Sequence, residues 1–261
     1  MAEKCGDISG QDQAVSTTLS VLESLRDAIQ YPPPHCSGVV PVCAEDLILF
    51  HGRGENACRL DFTTATEESL ERLSQACEPA TFGLNHEDVL DETYRKAGKI
   101  DAEHFMSTFD LDLSGILPLV SGKLLEVRGE DTLRAERYKI NVYGKDAFFK
   151  AHKDTPRSQN MFGSLVIVFP TKHEGGALIL RDYDEEWTFD SAKIISEHDG
   201  LCVGYAAFYS DVEHEVAVVQ SGYRVTLTYN LYRVLPWTIP SIAYTLASAD
   251  VPVKTVLEAY S

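Results

Sequence analysis

From about Leu133 onward the chain is a succession of short extended runs separated by turn residues, and this texture limits its fold more than any other feature. The runs are 134–143, 148–151, 164–169, 177–181, 186–189, 201–209, 215–219 and 223–232, divided by turns rich in Gly, Pro and Asp. Apolar and β-branched runs punctuated in this way predict an antiparallel sandwich or barrel. The helical signals come earlier. Val15, Leu19, Leu22, Leu25 and Ile29 recur at helical spacing until Tyr31-Pro32-Pro33-Pro34 stops them. Two short runs, 47–50 and 58–62, flank the glycine-bearing turn His51-Gly52-Arg53-Gly54-Glu55-Asn56 and predict a hairpin. A helix is predicted over 65–77, with Thr64 and Glu67 in capping-box spacing and Leu70 and Leu73 on one face. Residues 79–104 are highly charged and predict a surface excursion with a short helix near Glu92 to Gly98. Another helix is predicted over 116–127, Pro118 being tolerated in its first turn.

The expected fold is therefore α+β, mainly β: a double-sheet barrel with N-terminal helices packed on one sheet. Residues 1–132 would be a helical and hairpin support region, 133–233 the barrel core and 234–261 a tail whose helix-like stretch 251–260 caps an end, all within one compact domain. With 44% hydrophobic residues, the chain can bury a sizeable core. Its 40 acidic against 23 basic residues give a net charge of −17, which argues against duplex nucleic acid or an anionic membrane as a partner. No apolar run approaches the roughly 18 residues of a membrane span. The first residues lack the basic and apolar regions of a secretory signal, and the six cysteines contain no C-x-x-C pair. An intracellular protein with reduced thiols is the expectation.

Chemistry is concentrated in His152-Lys153-Asp154, because residues two apart on a strand project from one face and can offer an imidazole and a carboxylate to one metal. Alone, such a triplet is far more often a solvated strand end. His214, 62 residues on, changes the balance: two histidines and one carboxylate make the facial triad that holds non-haem Fe(II) and leaves three positions open. Ten residues further lies Arg224, in a run where Val225, Leu227 and Tyr229 alternate with Arg224, Thr226 and Thr228. An arginine pointing into a barrel is a costly unpaired charge unless an anion meets it. A dicarboxylate co-substrate could supply that anion and be gripped by the planar fork.

These residues resemble the Fe(II)- and 2-oxoglutarate-dependent dioxygenases, most closely their prolyl 4-hydroxylase-like branch. There a tyrosine strand leads through a glycine turn and an aromatic residue to H-x-D, and this chain reads from Tyr143-Gly144 through Phe148-Phe149 to His152-Lys153-Asp154. The family's glycine pair before a strand is similar to Gly175-Gly176-Ala177-Leu178, and its distal histidine and basic residue to His214 and Arg224. Collagen-type members usually carry lysine where Arg224 stands. The resemblance covers about 133–233 and implies a double-stranded β-helix, a jelly-roll related to cupin barrels. It implies Fe(II) on His152, Asp154 and His214, and 2-oxoglutarate held by Arg224 with Tyr143 and Thr226. Dioxygen would be the second co-substrate and ascorbate a candidate reductant. The implied reaction hydroxylates an unactivated C–H bond with release of succinate and CO2, and an aspartate at position 154 favours hydroxylation over halogenation.

Lys139, Asn141, Lys150 and Arg157 are the candidate substrate contacts, since Arg137, Lys139 and Asn141 share a face with Tyr143 in a regular strand. The substrate is a prolyl peptide on the family pattern. The rival is a small molecule or free amino acid undergoing hydroxylation, desaturation or ring closure. A non-catalytic metal- and 2-oxoglutarate-binding sensor is the alternative from another class, and a cupin would bring further histidines near His152. His35, His51, His86 and His104 read as surface groups, and His173 and His198 as turn residues.

Overall fold

The computed structural model describes residues 32–52, 57–84, 87–125 and 132–234. The expected helix at 14–29 and the stretch 251–260 lie outside these residues. In chain order the first elements are β1 (His35–Pro41), β2 (Ile48–His51), β3 (Cys58–Asp61), α1 (Glu67–Gln75), β4 (Glu78–Pro79), β5 (Phe82–Leu84), β6 (Glu87–Val89), β7 (Arg95–Lys96), β8 (Gly98–Asp101), β9 (Phe105–Ser107) and α2 (Ile116–Leu124). Then follow β10 (Thr132–Tyr143), β11 (Phe148–His152), β12 (Met161–Val168), β13 (His173–Gly175), β14 (Leu178–Asp182), β15 (Glu185–Phe189), α3 (Ser191–Ser196), β16 (Cys202–Tyr209), β17 (Glu213–Val216), β18 (Val219–Gly222) and β19 (Arg224–Val234).

Two antiparallel sheets dominate. The larger runs β1-β16-β12-β19-β10-β8-β4 and the smaller β15-β14-β17-β11-β7. From β10 onward the chain alternates between them: β10 in the large sheet, β11 in the small, β12 large, β14 and β15 small, β16 large, β17 small, β19 large. That winding is the double-stranded β-helix. It brings residues distant in sequence into register, so that His152 faces His214 across β11 and β17 while Tyr143 faces Arg224 across β10 and β19.

Strand alternation assigns the two faces of the large sheet. Val225, Leu227, Tyr229 and Leu231 point to the side where α1 and α2 lie, in one apolar cluster with Leu70, Leu73, Ile116, Val120 and Leu124. Arg224, Thr226, Thr228 and Asn230 point the other way, toward the space between the sheets. A second cluster, including Phe149, Leu178, Leu180, Phe208, Val212 and Val216, closes that space. The helix-bearing side is thus an ordinary apolar core, and the opposite side is a polar floor with apolar walls.

The N-terminal region is built into the barrel: β1, β4 and β8 extend the large sheet and β7 the small one. The expected hairpin forms as β2 and β3, paired from Ile48–Asp61 to His51–Cys58 and joined by β9. The short helix expected near Glu92 to Gly98 does not form. Its residues become β7, paired with β11 through Phe149 and Arg95, and the start of β8, paired with β10. Cross-strand pairing overrides a local composition that reads as helix. The cap of α1 is Thr66, whose hydroxyl accepts from the Ser69 amide at 3.2 Å while Ser69 Oγ accepts from the Thr66 amide at 2.9 Å. Thr64 is held instead in the turn after Asp61. The single run expected over 215–219 divides into β17 and β18, the latter pairing with β13.

Candidate metal centre

His152, Asp154 and His214 come together at one end of a cavity of about 680 Å³ between the sheets. One ligand atom from each lies within 4.8 Å of the others, and His214 Nε2 is 3.7 Å from Asp154 Oδ1. The neighbours orient all three. His152 Nδ1 lies 2.8 Å from the Lys150 carbonyl and His214 Nδ1 3.1 Å from that of Val212. An Nδ1–H donated to each carbonyl leaves Nε2 with its lone pair free for a metal. The Ser164 hydroxyl donates to Asp154 Oδ2, which leaves Oδ1 turned toward His214. Burial lowers the pKa of His152, and His214 beside it lowers it further. Burial would raise Asp154, but His214, the Ser164 hydrogen bond and His152 hold it below the usual carboxylate range. Neutral imidazoles and an ionised carboxylate are the forms a ferrous ion requires.

Arg224 is only 1% exposed, and among the described residues its Nε and Nη2 have no hydrogen-bond partner. Its guanidinium carbon lies 5.6 Å from the centroid of the Tyr143 ring. Burial lowers its pKa and Tyr143 opposes the shift, yet a guanidinium keeps its proton in a protein. Unpaired donors on a buried cation match a carboxylate that arrives with a ligand. Gly176 makes room for the arginine's stem, and Gly175 for the neighbouring strand. A Cβ on Gly176, at φ +70°, would stand 3.0 Å from Arg224 Cδ and 2.8 Å from Val219 Cγ2, and one on Gly175 would meet the Val218 carbonyl oxygen at 2.3 Å. The donor set and the orphaned arginine therefore fit Fe(II) and a dicarboxylate.

Residues 138–232 match the sequence model of the 2OG-Fe(II) oxygenase superfamily. They form a 2OG-Fe(II) oxygenase core. That core carries the ligand set of a 2-oxoglutarate-dependent iron dioxygenase, and the family matched over these residues implies Fe(II), 2-oxoglutarate and dioxygen as cofactor and co-substrates. Among curated proteins none matches. Among solved structures the oxygenase is similar to a Pseudomonas putida prolyl-4-hydroxylase, with 18% identity, 77% of this chain and 94% of that chain covered, and a TM-score of 0.45. It is also similar to a Trichoplax adhaerens prolyl hydroxylase in complex with a hypoxia inducible factor peptide fragment, at 14% identity, 88% and 96% coverage and a TM-score of 0.46. A third is a Burkholderia pseudomallei oxidoreductase of the 2OG-Fe(II) oxygenase family, at 19% identity, 63% and 78% coverage and a TM-score of 0.37.

The remaining sequence candidates divide. Tyr143, Thr226, Lys139, Asn141 and Arg157 all line the oxygenase cavity, whereas Lys150 does not and its side chain is exposed. In a regular strand Lys150 would share a face with His152. A register irregularity between Phe149 and His152 breaks that period and stacks the two rings with centroids 3.5 Å apart. A similar irregularity between Arg137 and Lys139 turns Arg137 toward a separate cavity beside Tyr229 and brings Tyr138 into the oxygenase cavity next to Lys139. His51 and His173, expected at the surface and in a turn, are buried.

Sequence reasoning missed Ser164, Tyr138 and above all Arg95. Arg95 is 4% exposed, donates Nη1 to the Thr81 carbonyl at 2.6 Å and Nη2 to Asn141 Oδ1 at 2.7 Å, and lies 4.4 Å from the Phe149 ring centroid. No periodic signal in its charged surroundings marks it. Among the described residues, no helix is long and apolar enough to cross a membrane.

Proposed function

We propose that this oxygenase hydroxylates an unactivated C–H bond of a prolyl-type substrate, with succinate and CO2 as co-products. The observation that carries the reading is the buried Arg224, whose Nε and Nη2 have no partner among the described residues, in the same cavity as three convergent metal-ligand atoms. His152, Asp154 and His214 would hold Fe(II). Bound there, that ion supplies oxygen-activating chemistry that couples oxidation of 2-oxoglutarate to insertion of oxygen into the substrate.

The protein's part is placement. Backbone carbonyls fix both imidazoles, and Ser164 fixes the carboxylate, so the ligand atoms pay little reorganisation when metal enters. Arg224 would receive the distal carboxylate of 2-oxoglutarate, with Tyr143 beside the guanidinium and Thr226 on the same face. Phe149, Leu178, Phe208 and Val216 form apolar walls that exclude water and strengthen each of these contacts. The prolyl assignment follows the order of motifs from Tyr143 to Arg224, which is that of the prolyl 4-hydroxylase-like branch.

The test is oxygen-dependent succinate formation by anaerobically Fe(II)-loaded protein, with ascorbate present, in wild type and in His152→Ala and Arg224→Ala. Metal-dependent binding of 2-oxoglutarate is measured on the same samples. Succinate or binding lost in both variants is the expected result; wild-type protein that binds no 2-oxoglutarate with metal would refute the reading.

A further inference from the structure

The oxygenase cavity is cationic in a strongly acidic chain. Its charged lining comprises Arg95, Lys139, Lys153, Arg157 and Arg224 against Asp91 and Asp154, while the whole chain carries −17. Asp91 is engaged by Thr93, and Asp154 belongs to the metal ligands. A ferrous ion and a 2-oxoglutarate dianion cancel each other, so loading the site leaves the cationic excess in place. Arg224 is committed to the co-substrate, and both terminal nitrogens of Arg95 are committed to Thr81 and Asn141.

That leaves three cations: Lys153, which is exposed, and Lys139 and Arg157, which gather on the Tyr138 side of the cavity. Lys139 Nζ lies 4.3 Å from the Tyr138 ring centroid, and the Arg157 guanidinium carbon lies 4.4 Å from the same centroid, with Nη2 donating to the Tyr138 hydroxyl. Among the described residues neither has a carboxylate within ion-pair distance. Asp101, opposite Lys139 across β8 and β10, is taken by Lys99 at 2.5 Å. Burial, with Arg95 and Arg157 nearby and only partly offset by Asp154 and Asp101, pushes the Lys139 ammonium down to about 7. Two cations gathered on one aromatic ring gain little from each other. They gain from an anion placed between them.

Resting on the oxygenase reading, we infer that the substrate carries a carboxylate, received by Lys139 and Arg157 at the Tyr138 side of the cavity. The carboxylate is either the free acid of a small substrate or an acidic side chain next to the oxidised residue of a peptide. Both offer the same two oxygens to the same donors. The contact would orient the substrate; the metal ligands and Arg224 remain those of the co-substrate.

The experiment uses Fe(II)- and 2-oxoglutarate-loaded enzyme under anaerobic conditions and measures probe binding by calorimetry, with oxygen-dependent succinate formation alongside. The first probe pair is N-acetylproline and N-acetylprolinamide. The second is a blocked proline peptide with glutamate or glutamine beside the proline. In at least one pair the acid is expected to bind roughly tenfold or more tightly than its amide, the gain of a charge-assisted pair of hydrogen bonds. The pair that responds identifies the source of the carboxylate. Lys139→Met and Arg157→Gln should each reduce this preference, and Lys139→Arg should restore it, with melting curves confirming that each variant is folded. Equal binding of acid and amide in both pairs, including none for either, overturns the inference, as does a preference that survives both substitutions. Metal-dependent 2-oxoglutarate binding by wild type is read in parallel. Its absence would strike the oxygenase reading itself, and its presence confines a failure to the carboxylate contact.

Discussion

Arg224 and Arg95 lie in one cavity, are almost equally buried, and have different tasks. Arg95 is a clamp: both terminal nitrogens are bonded within the protein, only Nε being without a partner among the described residues, its guanidinium lies over Phe149, and it joins the Thr81 segment to Asn141 of the large sheet. Arg224 is, on the proposed reading, a receptor: two of its nitrogens have no partner among the described residues, and a glycine keeps the space beside its stem. Burial alone therefore does not tell a structural cation from a binding one. The count of satisfied donors does, because an unmet buried donor costs more than a met one returns.

The largest effect should come from Arg224→Met. Metal-dependent affinity for 2-oxoglutarate should fall roughly 100-fold or more, as expected when one partner of a buried charge pair is truncated. The ligand-free variant should melt at or above the wild-type temperature, since a partnerless charge has been replaced by an apolar side chain of similar volume. Calorimetric titration and differential scanning calorimetry check the two halves. A large loss of stability without ligand would mean that Arg224 is a clamp as well, and the distinction would collapse.

Gly176→Ala sharpens the comparison from the side. The added methyl presses on Arg224 Cδ and Val219, and the residue sits at a positive φ that disfavours a side chain. Affinity for 2-oxoglutarate should fall by about tenfold, a misplacement of the fork by a fraction of an ångström being enough. Arg95→Met should do the reverse of Arg224→Met. It strands the Thr81 carbonyl and Asn141 Oδ1, and the ligand-free protein should lose about 1 to 3 kcal/mol in urea unfolding, with 2-oxoglutarate affinity changed only a few-fold. Equal stability of wild type and Arg95→Met would show that the clamp holds nothing.

That Arg224 faces the cavity was legible in the sequence and that Arg95 does was not, for a physical reason. Arg224 sits in a strand whose alternation is strict, so Val225, Leu227 and Tyr229 declare the apolar face and the arginine must take the other. His152, Asp154 and His214 follow the same logic of period and order. Arg95 lies in a two-residue strand, and such a strand exists only because β11 is there to pair with it. Composition reads that stretch as a surface helix, since nothing local records a partner more than 50 residues away. The bulges were equally hidden. One of them expels Lys150 from the site, and the other substitutes Tyr138 for Arg137 beside Lys139. A pleat can be counted from sequence, but the position at which it breaks depends on contacts across the sheet.

Lys139 stands between the two arginines in kind, and its expected effect is the smallest. It has neither the satisfied donors of Arg95 nor the depth of Arg224, and its folded pKa of about 7 lies well below the ordinary lysine value. With a folded value below the unfolded one, the unfolded chain binds the extra proton between about pH 7 and 10, so ligand-free stability contributed through this residue rises with pH across that window and is flat below it. Lys139→Met removes this slope. The difference between wild-type and variant unfolding free energies in urea should narrow as pH is raised from 7 to 9, by an amount on the order of 1 kcal/mol after allowance for the partial exposure of the side chain. A carboxylate bound beside the ammonium would raise the folded value again and shift the window upward, so repeating the titration with N-acetylproline present distinguishes a lysine that is merely buried from one that waits for an anion.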